Sequence, residues 1–161
     1  MSVAAITEIR RSIDSFGAFG QSVVKVGCWT ALPDGTINGT QKLTFDEFAN
    51  IKSMLDNQQA VLIGLIYESA TNLSQVLKKI WDNHQVLATS YTQNADRSVD
   101  LHIYDPNFPL ADDVVIHCQP VTVNAAGVSG FQCTELVGNR QSINVRGFFA
   151  MTYTPVEPPT V

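Results

Sequence analysis

Apolar residues along the chain change their spacing near its middle. Ile6, Ile9, Ile13 and Phe16 recur at three- and four-residue intervals, which predicts an amphipathic helix over 3–16 that stops at Gly17. Ser22 to Thr30 is rich in β-branched residues and predicts a strand, followed by turn chemistry at Pro33-Asp34-Gly35 and Asn38-Gly39. Thr44 and Glu47 have the spacing of a capping box, so a second helix is expected to start there and to bury Phe48, Ile51 and Leu55. Asn57-Gln58 ends it. Ala60 to Ile66 is apolar on both faces, the pattern of a central strand covered on both sides. A third helix is expected to line one face with Leu73, Val76, Leu77, Ile80 and Trp81.

Past Asn83 the period falls to two. Strands are predicted near 84–92, 99–104, 114–119 and 142–153, with turn clusters at 94–98, 105–113 and 124–130. Helices first and strands later argue for an α+β fold, N-terminal helices packed on a mainly antiparallel sheet, in a single domain over 1–154. Residues 155–161 carry three prolines and read as an extended tail.

Composition narrows the function classes. At 161 residues, with 45% apolar and 16% charged residues, the chain has the make-up of one globular domain. A net charge of −5 and the absence of any Lys/Arg run argue against a nucleic-acid partner. No stretch reaches the roughly 18 apolar residues of a membrane span. Met1 to Arg11 lacks the pattern of a secretory signal, so a cytoplasmic location is the default expectation. The three cysteines, Cys28, Cys118 and Cys133, allow at most one disulfide and have no metal-ligand spacing.

One stretch points to chemistry. Asn83-His84-Gln85-Val86-Leu87 and Leu101-His102-Ile103-Tyr104-Asp105-Pro106-Asn107 flank a polar turn at 93–98. Opposed residues of an antiparallel hairpin have numbers of constant sum. A sum of 189 for His84 and Asp105 centres the turn between Asn94 and Ala95 and requires no bulge. The two side chains would then share a face with Val86, Ala88, Leu101 and Ile103, the carboxylate holding the imidazole in one tautomer. Turn and hydrogen-bonding needs alone also place a histidine and an aspartate at such positions. His102 alternates away from Asp105, and neither it nor His117 completes a metal site. Neither a metal nor a cofactor is expected.

This set resembles the second half of papain-like folds, with the bacteriocin-processing and related bacterial cysteine peptidases closest in pattern. Gly64-Leu65-Ile66 and Arg146-Gly147-Phe148-Phe149 extend the likeness over roughly residues 55–155. The resemblance implies a general base at His84 and an orienting acid at Asp105. It also implies a nucleophilic cysteine at a helix start upstream of the histidine, where the helix N-terminus lowers the thiol pKa. Here the chain departs from the pattern. Cys28 is the only cysteine upstream of His84, and although Gly27-Cys28-Trp29 echoes the Cys-Trp pair of such nucleophiles, its segment reads as a strand. Cys118 and Cys133 read as packing residues or a bridge.

Three functions follow. The chain is the His/Asp half of a thiol hydrolase or acyltransferase whose nucleophile lies on a separate segment. Or it is an inactive relative that binds a peptide or protein, through Phe108, Phe148, Tyr153 and the Pro-rich end. Or it is a complete enzyme using Cys28. Gln21 and Gln85 are candidate oxyanion donors by their amides. A peptide or protein is the expected substrate or partner, and oligomeric state is not legible.

Overall fold

The structure is a computed structural model that describes residues 17–124, 127–138 and 141–151, with side chains from Val23 onward. The helix expected over 3–16 and the tail at 155–161 lie outside these residues. The described elements are α1 (Gly17–Thr30), α2 (Thr40–Asp56), β1 (Val61–Ile66), α3 (Leu73–Lys79) with a 3-10 turn (Ile80–Asp82), β2 (His84–Gln93), β3 (Val99–Tyr104), β4 (Val114–Thr122), β5 (Ser129–Val137), β6 (Gln141–Val145) and β7 (Gly147–Ala150). All seven strands form one curled antiparallel sheet in the order β6-β5-β4-β3-β2-β1-β7. The class is α+β. No described helix is long and apolar enough to cross a membrane.

The strand expected over 22–30 is instead the C-terminal part of α1. Its β-branched residues favour a strand locally, but Val26 and Trp29 meet Ile66, Phe149 and Met151 in a cluster that requires helical spacing. Gly27 fits the same face against α3, because a Cβ there would lie 3.2 Å from Val76. The Trp29 and Phe149 rings sit 5.1 Å apart.

α2 begins four residues before the expected capping box, with Gly39 at its N-cap. Thr44 and Glu47 therefore lie inside the helix and serve β7. The Phe148 amide donates to Thr44 Oγ1 at 3.2 Å, and the Ala150 amide donates to Glu47 Oε1 at 2.9 Å. The outer backbone of an edge strand is thereby satisfied by helix side chains, which leaves no row of bare amides there. Phe48 and Ile51 are buried as expected and Leu55 packs against the same cluster. β1 is covered on both faces, Val61, Ile63 and Leu65 facing the main core and Ile66 facing α1.

The third helix is shorter and wetter than its pattern suggests. Only Val76 is buried in α3, while Leu77 and Trp81 are 60% and 70% exposed. The single strand expected over 142–153 is two strands at opposite edges of the sheet, β6 against β5 and β7 against β1. β5 was not foreseen. It fills most of the interval between the turn at 124–130 and β6.

Candidate functional site

His84 leaves from a fixed point. The preceding Asn83 accepts the amides of Tyr67 at 3.0 Å and Glu68 at 3.3 Å, and donates to Thr30 Oγ1 and the Lys79 carbonyl, each at 3.1 Å. One side chain thus joins the end of α1, the loop after β1 and the 3-10 turn. His84 itself pairs with Leu65 of β1.

The hairpin register differs from the expected one. Leu87 opposes Tyr104 and Ala88 opposes Ile103, a sum of 191, and a bulge between Ala88 and Ser90 shifts later pairs to 192. His84 is therefore not directly opposite Asp105. The error is an even number of residues, so both side chains still leave from one face. The curl of the sheet and the turn after β3 close the remaining gap. His84 Nε2 lies 2.7 Å from Asp105 Oδ1.

The aspartate is held from several sides. Its Oδ1 also accepts the Asn107 amide at 2.7 Å, and its carbonyl accepts the Phe108 amide at 2.9 Å, a turn that Pro106 favours. The Asn107 side-chain amide lies 3.2 Å from His84 Nε2. The Asp105 side chain is 1% exposed and that of His84 22%. Burial raises the Asp105 pKa, but hydrogen bonds from Glu135, His84 and the Asn107 amide outweigh it and leave the carboxyl below its ordinary 3.8.

Glu135 was not foreseen. It stands in β5 on the face of Phe131, Cys133 and Val137 and is fully buried. Tyr67 donates its hydroxyl to Glu135 Oε2 at 2.6 Å, and the Glu135 and Asp105 carboxyl groups lie within hydrogen-bonding reach. Burial, reinforced by Asp105, pushes the Glu135 pKa from 4.5 up to about 7 against the pull of the Tyr67 hydrogen bond. Burial and the same glutamate raise the Tyr67 phenol. An acid in the apolar alternation Phe131-x-Cys133-x-Glu135-x-Val137 was the available sequence signal.

With Nε2 committed to a carboxylate, Nδ1 is the imidazole nitrogen left to exchange a proton. His84 borders a cleft of about 380 Å³ with Tyr67, Trp81, Asn107, Phe108 and Ile143. A smaller hollow of about 100 Å³ also touches His84, with Val23, Val26 and Gln85. The Gln21 side chain lies outside the described residues.

The cysteines stand apart. Cys28 is in the last turn of α1 rather than on a strand, half-buried, and lines neither hollow. Cys118 and Cys133 oppose each other on β4 and β5 with sulfurs 3.7 Å apart, and burial pushes the Cys118 thiol well up, away from nucleophilic character. His102 meets Thr92, and His117 meets Asp100 at 2.6 Å. Among the described residues no three His, Cys, Asp or Glu side chains converge as metal ligands. Phe148, expected at an exposed interface, is fully buried, Phe108 is half-buried at the cleft, and Tyr153 lies outside the described residues. No protein-family model, curated protein or solved structure matches this chain.

Proposed function

We propose that this chain supplies the proton-transfer half of a cysteine-peptidase-like hydrolase or acyltransferase. His84 is the general base, Asp105 orients it, and the thiol comes from a separate segment. The observation that carries this reading is the 2.7 Å bond between His84 Nε2 and a buried carboxylate, with the imidazole bordering an open cleft. A carboxylate so placed holds the Nε2–H tautomer and stabilises the imidazolium formed when Nδ1 takes a thiol proton. The substrate class is an acyl group in amide, ester or thioester linkage, attacked by the thiolate.

A second reading, an inactive peptide-binding module, has its own support. Val23 and Val26 of α1 stand against the hollow beside His84, and the first turn of that helix, Gly17-Ala18-Phe19-Gly20, holds no cysteine, serine or threonine. The exposed Trp81 beside the cleft would then serve as an anchor.

Supplying the thiol in solution separates the two. Cleavage of 4-nitrophenyl acetate is followed with rising 2-mercaptoethanol, for the full chain and for His84→Ala. A general base accelerates the thiol-dependent rate by about 10²-fold, and the variant loses that acceleration. Equal rates for the two proteins would dismiss His84 as a base and leave the binding module.

A further inference from the structure

We propose that Glu135 is a positioning residue for His84: one proton lies between Glu135 Oε1 and Asp105 Oδ2, and this link turns the other aspartate oxygen toward the imidazole. The inference deepens the assignment of His84 as base and rests on it for its catalytic consequence alone.

The geometry leaves little choice. Two acids reach one buried point from different strands, Asp105 from the end of β3 and Glu135 from β5. Each has one oxygen already bound, Oδ1 to His84 and the Asn107 amide, and Oε2 to the Tyr67 hydroxyl. Asp105 Oδ2 and Glu135 Oε1 remain, and among the described residues they are the buried side-chain oxygens without a hydrogen-bond partner. Two carboxylates in contact out of water would repel strongly, and each would carry an unsatisfied acceptor. A single shared proton removes both costs. Glu135 is the partner that carries it, because its buried carboxyl has a single donor, the Tyr67 hydroxyl, while Asp105 faces two N–H donors that favour its charged form.

The titratable groups around Glu135 are Tyr67 from beyond β1, His84 from β2 and Asp105; Asp82 of the 3-10 turn lines the same cleft. With the proton in place, one negative charge stands behind the imidazole. The proton's place between Glu135 and Asp105 leaves Asp105 Oδ1 as the acceptor that faces His84 Nε2.

The test uses the full chain with ¹³C-labelled carboxyl groups and ¹⁵N-labelled histidine, as wild type, Glu135→Gln, Glu135→Ala and Tyr67→Phe. The Glu135 and Asp105 carboxyl signals should move together in a step near neutral pH. Glu135→Gln, whose amide replaces the shared proton, should abolish the step and keep the His84 Nε2–H tautomer; Glu135→Ala should lose that tautomer. Tyr67→Phe, which removes a donor favouring the ionised glutamate, should move the step upward, and it decides the matter if the Glu135 variants do not fold. A Glu135 that titrates in the ordinary carboxyl range, or a tautomer retained in Glu135→Ala, would overturn the proposal. Intact carboxyl coupling and tautomer control without any His84-dependent rate would sink the base assignment while supporting the positioning role.

Discussion

Replacing Glu135 by glutamine should change how stability depends on pH. In the folded protein this carboxyl titrates at about 7 against an ordinary 4.5. The folded state therefore holds a proton more tightly than the unfolded chain. Its stabilising contribution is complete below pH 4.5 and disappears as pH rises through 7. Each pH unit of that separation is worth about 1.4 kcal/mol, so the full change is on the order of 3 kcal/mol. That is a large part of the total stability of a domain this size. Asp105 behaves oppositely, since its lowered pKa makes its contribution disappear as pH falls below 3.8. A window from pH 4.5 to 8 isolates Glu135. Urea unfolding of both proteins across it gives a difference curve in which other titrations largely cancel. Wild type should lose on the order of 3 kcal/mol relative to Glu135→Gln between the ends. A difference constant within about 0.5 kcal/mol would refute the assignment of a neutral buried acid.

Other perturbations test the frame around the site. Asp105→Asn should slow the thiol-dependent rate by at least about tenfold and destabilise the fold by about 1–3 kcal/mol, measured by ester cleavage and urea unfolding. Gly147→Ala would place a Cβ 2.5 Å from Thr44 Oγ1 and 3.1 Å from the Trp29 ring. A lowered thermal midpoint with a cost of about 1–3 kcal/mol is expected. Ile51→Ala, at a fully buried position, should cost about 2–5 kcal/mol, whereas Leu77→Ala at a 60% exposed position should stay within about 0.5 kcal/mol in the same unfolding assay.

The chain displays some of this architecture openly and hides the rest for identifiable reasons. The alternations at 84–92 and 99–104 are regular, so two strands and the shared face of His84 and Asp105 are readable. Their register is not, because the turn closes between Asn94 and Ser98, centred on Asp96, and the bulge near Thr89, with no glycine or proline to mark it, shifts the pairing by one. α1 is misread because Val23, Val24 and Val26 favour strands in isolation, and only Ile66 and Phe149 show why a helix forms. β5 escapes notice because its inward row contains Glu135, an acid whose partners there, Tyr67 and Asp105, are distant in sequence. The same separation hides the third member of the site. Pairing arithmetic within one hairpin cannot reach a residue two strands away.

The junction between β6 and β7 carries a consequence for how the domain comes together. Val145 still pairs with Cys133, and Gly147 already pairs with Ile66, so Arg146 alone separates the two outermost strands. Two virtual bonds span at most about 7 Å, so the sheet's opposite margins are tied by covalent chain as well as by shape. Arg146 fastens that tie, donating to the carbonyls of Leu32, Thr30 and Glu68 and pairing with Asp34. The β5–β6 hairpin can zip locally, but β7 finds its partner only after β1 and the helix before it are in place. Closure is thus a late, long-range event. β7 at this seam acts as a latch that joins the two margins of the sheet.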